Sequence, residues 1–174
     1  ISIASHELRT PLTIIKGYTE MVLEDASLDP NFKRIMNGIY DGTMRLHEVM
    51  DSMFDIAQID ARSLKPHLQP VELGHLIKEV CVDQAAAIKE RNQSIRMILP
   101  TLPHVKADPN LLRKLFHHLI RNAVKFTPNN GRITITGHHI PGIVNLPNGA
   151  VEIIVSDTGI GVDPNFREII FSKF

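Results

Sequence analysis

Three short strings hold most of the residues here that could do chemistry. The first is SHELRTPL, residues 5 to 12, in which His6 and Glu7 stand side by side. A carboxylate near one imidazole nitrogen fixes the tautomer and leaves the other nitrogen free as a nucleophile. Arg9 and Thr10 follow three and four residues later, which on a helix places them on the face of His6. Pro11 has no N–H to offer the carbonyl of Glu7 and crowds it, so the helix is expected to bend beside the histidine.

The second string is HHLIRNAVKFTPNNG, residues 117 to 131. On a helix His118, Asn122 and Lys125 share one face, with Arg121 beside them. An amide oxygen such as that of Asn122 can complete a Mg²⁺ octahedron, and an ammonium three residues on can meet phosphate charge. A capped surface helix ending in a Pro-Asn-Asn-Gly turn is the plainer reading. Adjacent histidines point about 100° apart on a helix and cannot easily share a metal, so zinc is not expected at His117-His118 or His138-His139. The third string, DTGIGV at 157 to 162, follows the strand-like VEIIVS. Gly159 and Gly161 would let backbone approach a ligand where a Cβ would collide. Asp157 could accept a hydrogen bond from an exocyclic amine. A tight turn explains the same glycines, and the spacing matches neither the dinucleotide-binding nor the P-loop pattern.

The elements that must position these strings have two different periods. In the first 62 residues, Ile1, Ala4, Leu8, Pro11, Ile15, Tyr18 and Val22 recur in steps of three and four. So do Phe32, Ile35, Ile39, Gly42, Leu46, Val49, Met53 and Ile56. That is a heptad seam on two helices. Ser27-Leu28-Asp29-Pro30 separates them, with Pro30 suited to a helix start. The expected product is an antiparallel hairpin. Two helices cannot enclose such a seam, and Met36, Met50, Phe54 and Ala57 widen it, so two hairpins should pair into a four-helix bundle as a homodimer through residues 1–62. With Ile1 at heptad position a, His6 falls at f, facing water and any partner.

After Ser63-Leu64-Lys65-Pro66 the rhythm changes. Val71 to Arg91 reads as one helix, Ser94 to Leu99 as a strand, and Asp108 to Phe126 as a second amphipathic helix with an N-cap and a first-turn proline. Arg132–His138 and Ala150–Ser156 alternate in period two and read as antiparallel strands. The fold class is therefore α+β: a helical hairpin, residues 1–64, followed by an α/β sandwich, residues 65–174.

The totals limit function. The chain has 174 residues, 43% apolar and 22% charged, with formal net charge zero and pI near 7.3. No global field draws it to nucleic acid or anionic lipid, and no apolar run approaches the ~20 residues of a membrane span. A lone cysteine, Cys81, on an apolar stripe with Ile77, Val80 and Ile88, is expected to pack rather than react. A reducing, cytoplasmic setting fits it. The chain opens on Ile1 rather than Met, and a fragment of a longer protein is expected, with membrane anchoring of the parent left open.

Together and in this order, the three strings resemble the sensor histidine kinases of two-component signalling. SHELRTPL is similar to their phospho-acceptor box, NAVKFTP to the N box of the Bergerat-type ATP fold, and DTGIGV to its first glycine box. IIFSKF at 169 to 174 is similar to the start of the F box. The resemblance implies ATP and Mg²⁺ as cofactors and His6 as acceptor of the γ-phosphoryl group, with Glu7 as its acid/base and orienting partner. It implies that Thr10 helps place water for dephosphorylating a response regulator. It also implies Asn122 as Mg²⁺ ligand, Lys125 as phosphate contact, Asp157 as adenine contact, and Gly159 and Gly161 in the nucleotide pocket. The hairpin becomes a dimerisation and phosphotransfer domain, the rest an ATP-binding domain, and the partner a response-regulator receiver domain. Two departures stand out. His118 occupies the position of a frequent additional Asn, and the chain ends before a second glycine box. Two other readings belong to different classes: an ATPase of the same fold without phosphohistidine, and a non-catalytic dimeric scaffold or phosphotransfer module.

Overall fold

The computed structural model describes residues 2–25, 27–61, 64–142, 147 and 149–167, except for the side chains of residues 2–6 and 60. The chain forms two compact units, Ile1–Lys65 and Pro66–Phe174.

The first unit is a helical hairpin of α1, Ser2–Leu23, and α2, Pro30–Asp60. Asp29 starts α2: its Oδ1 accepts from the N–H groups of Asn31 (2.9 Å) and Phe32 (3.2 Å), and Pro30 takes the first-turn position where no N–H is needed. Helix α1 continues through Pro11 without interruption. Thr19 and Thr43 are buried, each returning its hydroxyl to the carbonyl four residues back, Ile15 and Ile39, and Met50 is buried with them. Most of the heptad seam, by contrast, is exposed: Leu8, Ile15, Tyr18, Phe32, Ile35, Ile39, Leu46, Val49 and Met53 all face outward from the single hairpin. The stripe expected from the sequence is present, and one hairpin does not cover it.

The second unit packs helices on one face of a sheet. Strands β1, Gln69–Val71, and β3, Val105–Ala107, form an antiparallel pair with Val71 opposite Val105. The main sheet has the order β2-β4-β5. Strand β2, Ser94–Ile98, runs parallel to β4, Arg132–Ile140, which is antiparallel to β5, Ala150–Asp157. Helix α5, Pro109–Phe126, lies between β3 and β4 in sequence and makes the crossover that a parallel pair requires. Along β4, Ile133, Ile135 and Gly137 turn inward while Thr134 and Thr136 are half-exposed. The core joins Ile133 and Ile135 to Leu76, Ile77 and Val80 of α3, Leu73–Asp83, and to Phe116, Ile120 and Val124 of α5. Cys81 is buried there, and burial raises its thiol pKa, so it packs as an apolar side chain.

Two readings need correction. The single helix expected from Val71 to Arg91 is divided. Val71 belongs to β1, and Glu72 begins α3 by accepting from the N–H of His75 at 3.1 Å. The chain then breaks at Gln84 before α4, Ala85–Glu90. At that break the N–H of Gln84 turns back to Cys81 at 3.2 Å, and its side-chain amide meets His117 Nε2 at 3.3 Å. Strand β3 was not expected at all. The two period-two segments are antiparallel strands, as their alternation requires.

Candidate functional site

Helix α5 is fixed at both ends before any chemistry begins. At its start Asp108 Oδ1 accepts from the N–H groups of Asn110 (2.9 Å) and Leu111 (3.2 Å), while Oδ2 accepts from His67 N–H at 2.8 Å. The His67 bond first, with those to Leu111 and Asn110, holds this carboxyl below the usual carboxylate range against the opposing effect of burial. Phe116, Ile120, Ala123 and Val124 turn into the core. The opposite face presents His118, Asn122 and Lys125, all exposed, on the common side that their spacing predicts. Lys125 Nζ lies 5.1 Å from the centre of the Phe126 ring.

The end of α5 meets the third string. Asp157 closes β5, and its Oδ1 accepts from Gly159 N–H at 2.7 Å, so the carboxylate shapes its own loop and keeps Oδ2 for an outside donor. A Cβ on Gly159 would stand 2.7 Å from the carbonyl oxygen of Phe126. The DTGIGV loop therefore presses against the last residue of α5, one position beyond Lys125. This contact brings the second and third strings into one site. Gly161 differs: its φ is +71°, and nothing lies within 4 Å of where a Cβ would be. Thr158 ties the loop to β4 in both directions, its N–H donating to Arg132 O at 3.0 Å and its Oγ1 accepting from Arg132 N–H at 2.9 Å.

Sequence reasoning missed two further residues at this end. Arg91 and Gln93 flank Asn92, whose φ is +50°, at the entrance to β2. Arg91 Nη1 donates to Val124 O and, at 3.0 Å, to Lys125 O; Gln93 Nε2 donates to Val124 O at 3.0 Å and Thr127 O at 2.7 Å. No signal in the sequence marks such residues, since their partners are backbone carbonyls.

The first string lies in the other unit. The backbone of α1 is helical through His6, whose side chain is outside the described residues, as are residues 169–174. Glu7, Arg9 and Thr10 are exposed, and Arg9 Nη2 bridges to Asp51 of α2 at 2.9 Å. Leu8 and Pro11 of the same string open onto an apolar groove of about 700 Å³, walled by Leu46, Val49, Met53 and Phe54 of α2.

Comparison with known proteins covers both units. Residues 1–62 match the profile of the His Kinase A (phospho-acceptor) domain, and residues 107–174 that of the Histidine kinase-, DNA gyrase B-, and HSP90-like ATPase. Hybrid signal transduction histidine kinase D of Dictyostelium discoideum is 30% identical over 98% of this chain, which spans 11% of that protein. The phosphate regulon sensor protein PhoR of Pseudomonas aeruginosa is 30% identical over 98% of the chain and 37% of its own length. Among solved structures, full-length ShkA in complex with AMPPNP matches 98% of the chain and 35% of its own, with 28% identity and a TM-score of 0.75. The histidine kinase ThkA in complex with the response regulator protein TrrA matches 99% and 49%, with 26% identity and a TM-score of 0.64. The chain thus spans roughly a tenth to a half of the length of these proteins.

Proposed function

Because the chain belongs to the sensor histidine kinases, as the two domain profiles and relatives along nearly its whole length show, we propose that it is their phosphotransferase core, moving the γ-phosphoryl group of ATP to His6 and then to an aspartate of a response-regulator receiver domain. The observation that carries this reading is the packing of Gly159 on the Phe126 carbonyl. It sets an exposed amide, an ammonium and a carboxylate around one end of α5.

In this reading Asp157 Oδ2 accepts from the adenine amine and Lys125 meets phosphate charge. Asn122 fits a hard cation: its exposed amide would supply one oxygen to Mg²⁺. Bound Mg²⁺ would neutralise phosphate charge. At the hairpin, the His6 ring nitrogen forms a bond to the γ-phosphorus as the bond to the leaving oxygen of ADP breaks. Glu7 takes up the proton of the opposite ring nitrogen. The product is a phosphoramidate, from which a receiver carboxylate can accept the group. Thr10 would place water for the reverse, dephosphorylating task. Catalysis of this kind is positioning and charge neutralisation. His118 stands on the same exposed face, suited to a hydrogen bond with the nucleotide.

The hairpin is the dimerisation domain and the remainder the ATP-binding domain. The exposed seam supports a homodimer through residues 1–62, since a second copy covers a twofold apolar stripe with its own equivalent. Among the described residues no helix is long and apolar enough to cross a membrane, and we place this core in the cytoplasm.

The test is incorporation of label from γ-³²P-ATP with Mg²⁺. The label should be lost in acid and kept in alkali, and His6→Gln should abolish it. Label that withstands acid, or that survives His6→Gln, removes His6 as the acceptor.

A further inference from the structure

We propose that Arg91 and Gln93 are positioning residues of the nucleotide site: from the α4–β2 turn they hold the last turn of α5, and through it Lys125 and the glycine loop. The inference rests on the nucleotide-binding role proposed above for Asn122, Lys125 and Asp157.

The last carbonyls of a helix have no intrahelical donors. In α5 no left-handed glycine follows the end. Thr127 is extended instead (φ −75°, ψ 129°), and its N–H returns only to Ala123. Two of the other carbonyls of the last turn, those of Val124 and Lys125, and the Thr127 carbonyl just beyond it are met by side chains from a distant part of the chain. Arg91 takes Val124 and Lys125; Gln93 takes Val124 and Thr127 and reaches toward Pro128 at 3.4 Å. The turn is fastened from the other side as well, since Asn130 N–H donates to Arg91 O at 3.1 Å.

Phe126 O lies between the carbonyls that Arg91 and Gln93 occupy, and it is the one Gly159 packs against. The donors thus set the height of the surface on which the DTGIGV loop rests. Below that surface, a Cβ on Gly131 would meet Thr127 Cγ2 at 2.3 Å and Thr158 Oγ1 at 3.0 Å, so Thr127, Gly131 and Thr158 stack without spare room. A shift of the last turn must therefore move Lys125 and, through Phe126, the loop carrying Asp157.

The choice of Gln93 carries a cost. Its side chain is buried, and its Oε1, like Thr127 Oγ1, has no hydrogen-bond partner among the described residues. An orphaned buried acceptor is unfavourable; an apolar residue of similar shape would avoid it but would take this donor from the Val124 and Thr127 carbonyls. What the amide supplies in return is two directed N–H groups at the helix end.

The experiment uses this chain and Mg·ADP as probe, with affinity measured by calorimetry below the melting temperature of each variant. Gln93→Met keeps the volume and removes the donors, and Arg91→Met does the same at a half-buried position. Each should remain folded by circular dichroism and weaken Mg·ADP by about tenfold, because a loosened helix end must be ordered again on binding. Arg91→Lys, which restores a donor, should recover most of the affinity. Variants that melt earlier yet bind Mg·ADP as the parent does would reduce both residues to fold support and overturn the inference. If Gln93→Met fails to fold, the Arg91→Met and Arg91→Lys pair decides the matter. A parent chain that binds no Mg·ADP overturns the nucleotide reading itself, and this inference with it.

Discussion

Gly159 and Gly161 stand two residues apart and require glycine for different reasons. At Gly159 a Cβ would stand 2.5 Å from Asp157 Oδ1 and 2.7 Å from the Phe126 carbonyl oxygen, and the latter is backbone that cannot swing away as a side chain could. At Gly161 the space is open and only the left-handed backbone disfavours a side chain, by about 1–2 kcal/mol. Gly159→Ala should therefore lift the loop from α5, lowering the melting temperature and weakening Mg·ADP by more than tenfold, whereas Gly161→Ala should bind several-fold better than Gly159→Ala. Calorimetry on the two variants checks this ordering. Asn122→Ala makes a complementary case: the side chain is exposed, so the fold should be unchanged while Mg²⁺-dependent phosphorylation falls. Unaltered turnover in Asn122→Ala would place the metal elsewhere. At this scale the sequence was legible where chemistry depends on residue type: spacing put His118, Asn122 and Lys125 on one face. It was not legible where the partner is backbone. The close approach allowed by Gly159 was expected for a ligand, and it serves the protein's own helix end first. Arg91 and Gln93 were invisible because every sequence offers carbonyls to be capped.

Among the elements, α5 carries a titratable hinge to the rest of its unit in Asp108. Its carboxyl is held below the ordinary range, chiefly by His67 N–H. A depressed carboxylate pKa contributes stability that is complete above the unfolded value of about 3.9 and is lost as pH falls through the lower folded value. The second unit should accordingly melt at progressively lower temperature below about pH 4. Asp108→Asn keeps an oxygen acceptor for the cap, so it should melt somewhat below the parent at pH 6, with the gap narrowing as pH falls below about 4; a gap that stays constant into acid would disconnect Asp108 from the acid limb. Elements were readable where they are long. Asp108–Phe126 and the two period-two strands appeared close to their observed limits. The helix at Val71 to Arg91 misled because Leu76, Ile77, Val80, Cys81 and Ile88 keep a helical rhythm across Gln84, where only one residue interrupts it. Three-residue strands such as β1 and β3 are too short to show alternation, and their pairing depends on tertiary contact rather than local preference.

For the molecule as a whole, the heptad rhythm revealed an apolar stripe but not which residues one hairpin would bury. Thr19, Thr43 and Met50 take that place, and the heptad side chains remain outside. This division makes Leu46→Glu informative. Leu46 is 59% exposed in the single hairpin, so a carboxylate there leaves the helices of one chain intact. Within a paired bundle the charge would be buried without a partner, twice over by symmetry, at a cost of several kcal/mol. Sedimentation should show Leu46→Glu as a helical monomer, with the second unit still folded, while His6→Gln stays dimeric. A dimeric Leu46→Glu protein would show that the copies meet elsewhere.

The parallel pairing of β2 with β4 also sets a timetable. Ser94 meets Arg132 only after the chain between them has formed β3 and α5 and returned, whereas the α1–α2 turn closes over a few residues. Loop closure over such a span must precede any reward from the pairing, and non-local topology slows folding accordingly. On dilution from denaturant, helical signal from the hairpin should recover in a fast phase and burial of Ile133 and Ile135 in a slower one. During synthesis the order is the same for a second reason, since the hairpin leaves the ribosome first. Its uncovered groove is then complete while β4 is still unmade, and each nascent chain meets its surroundings as an amphipathic helical pair before its second unit exists.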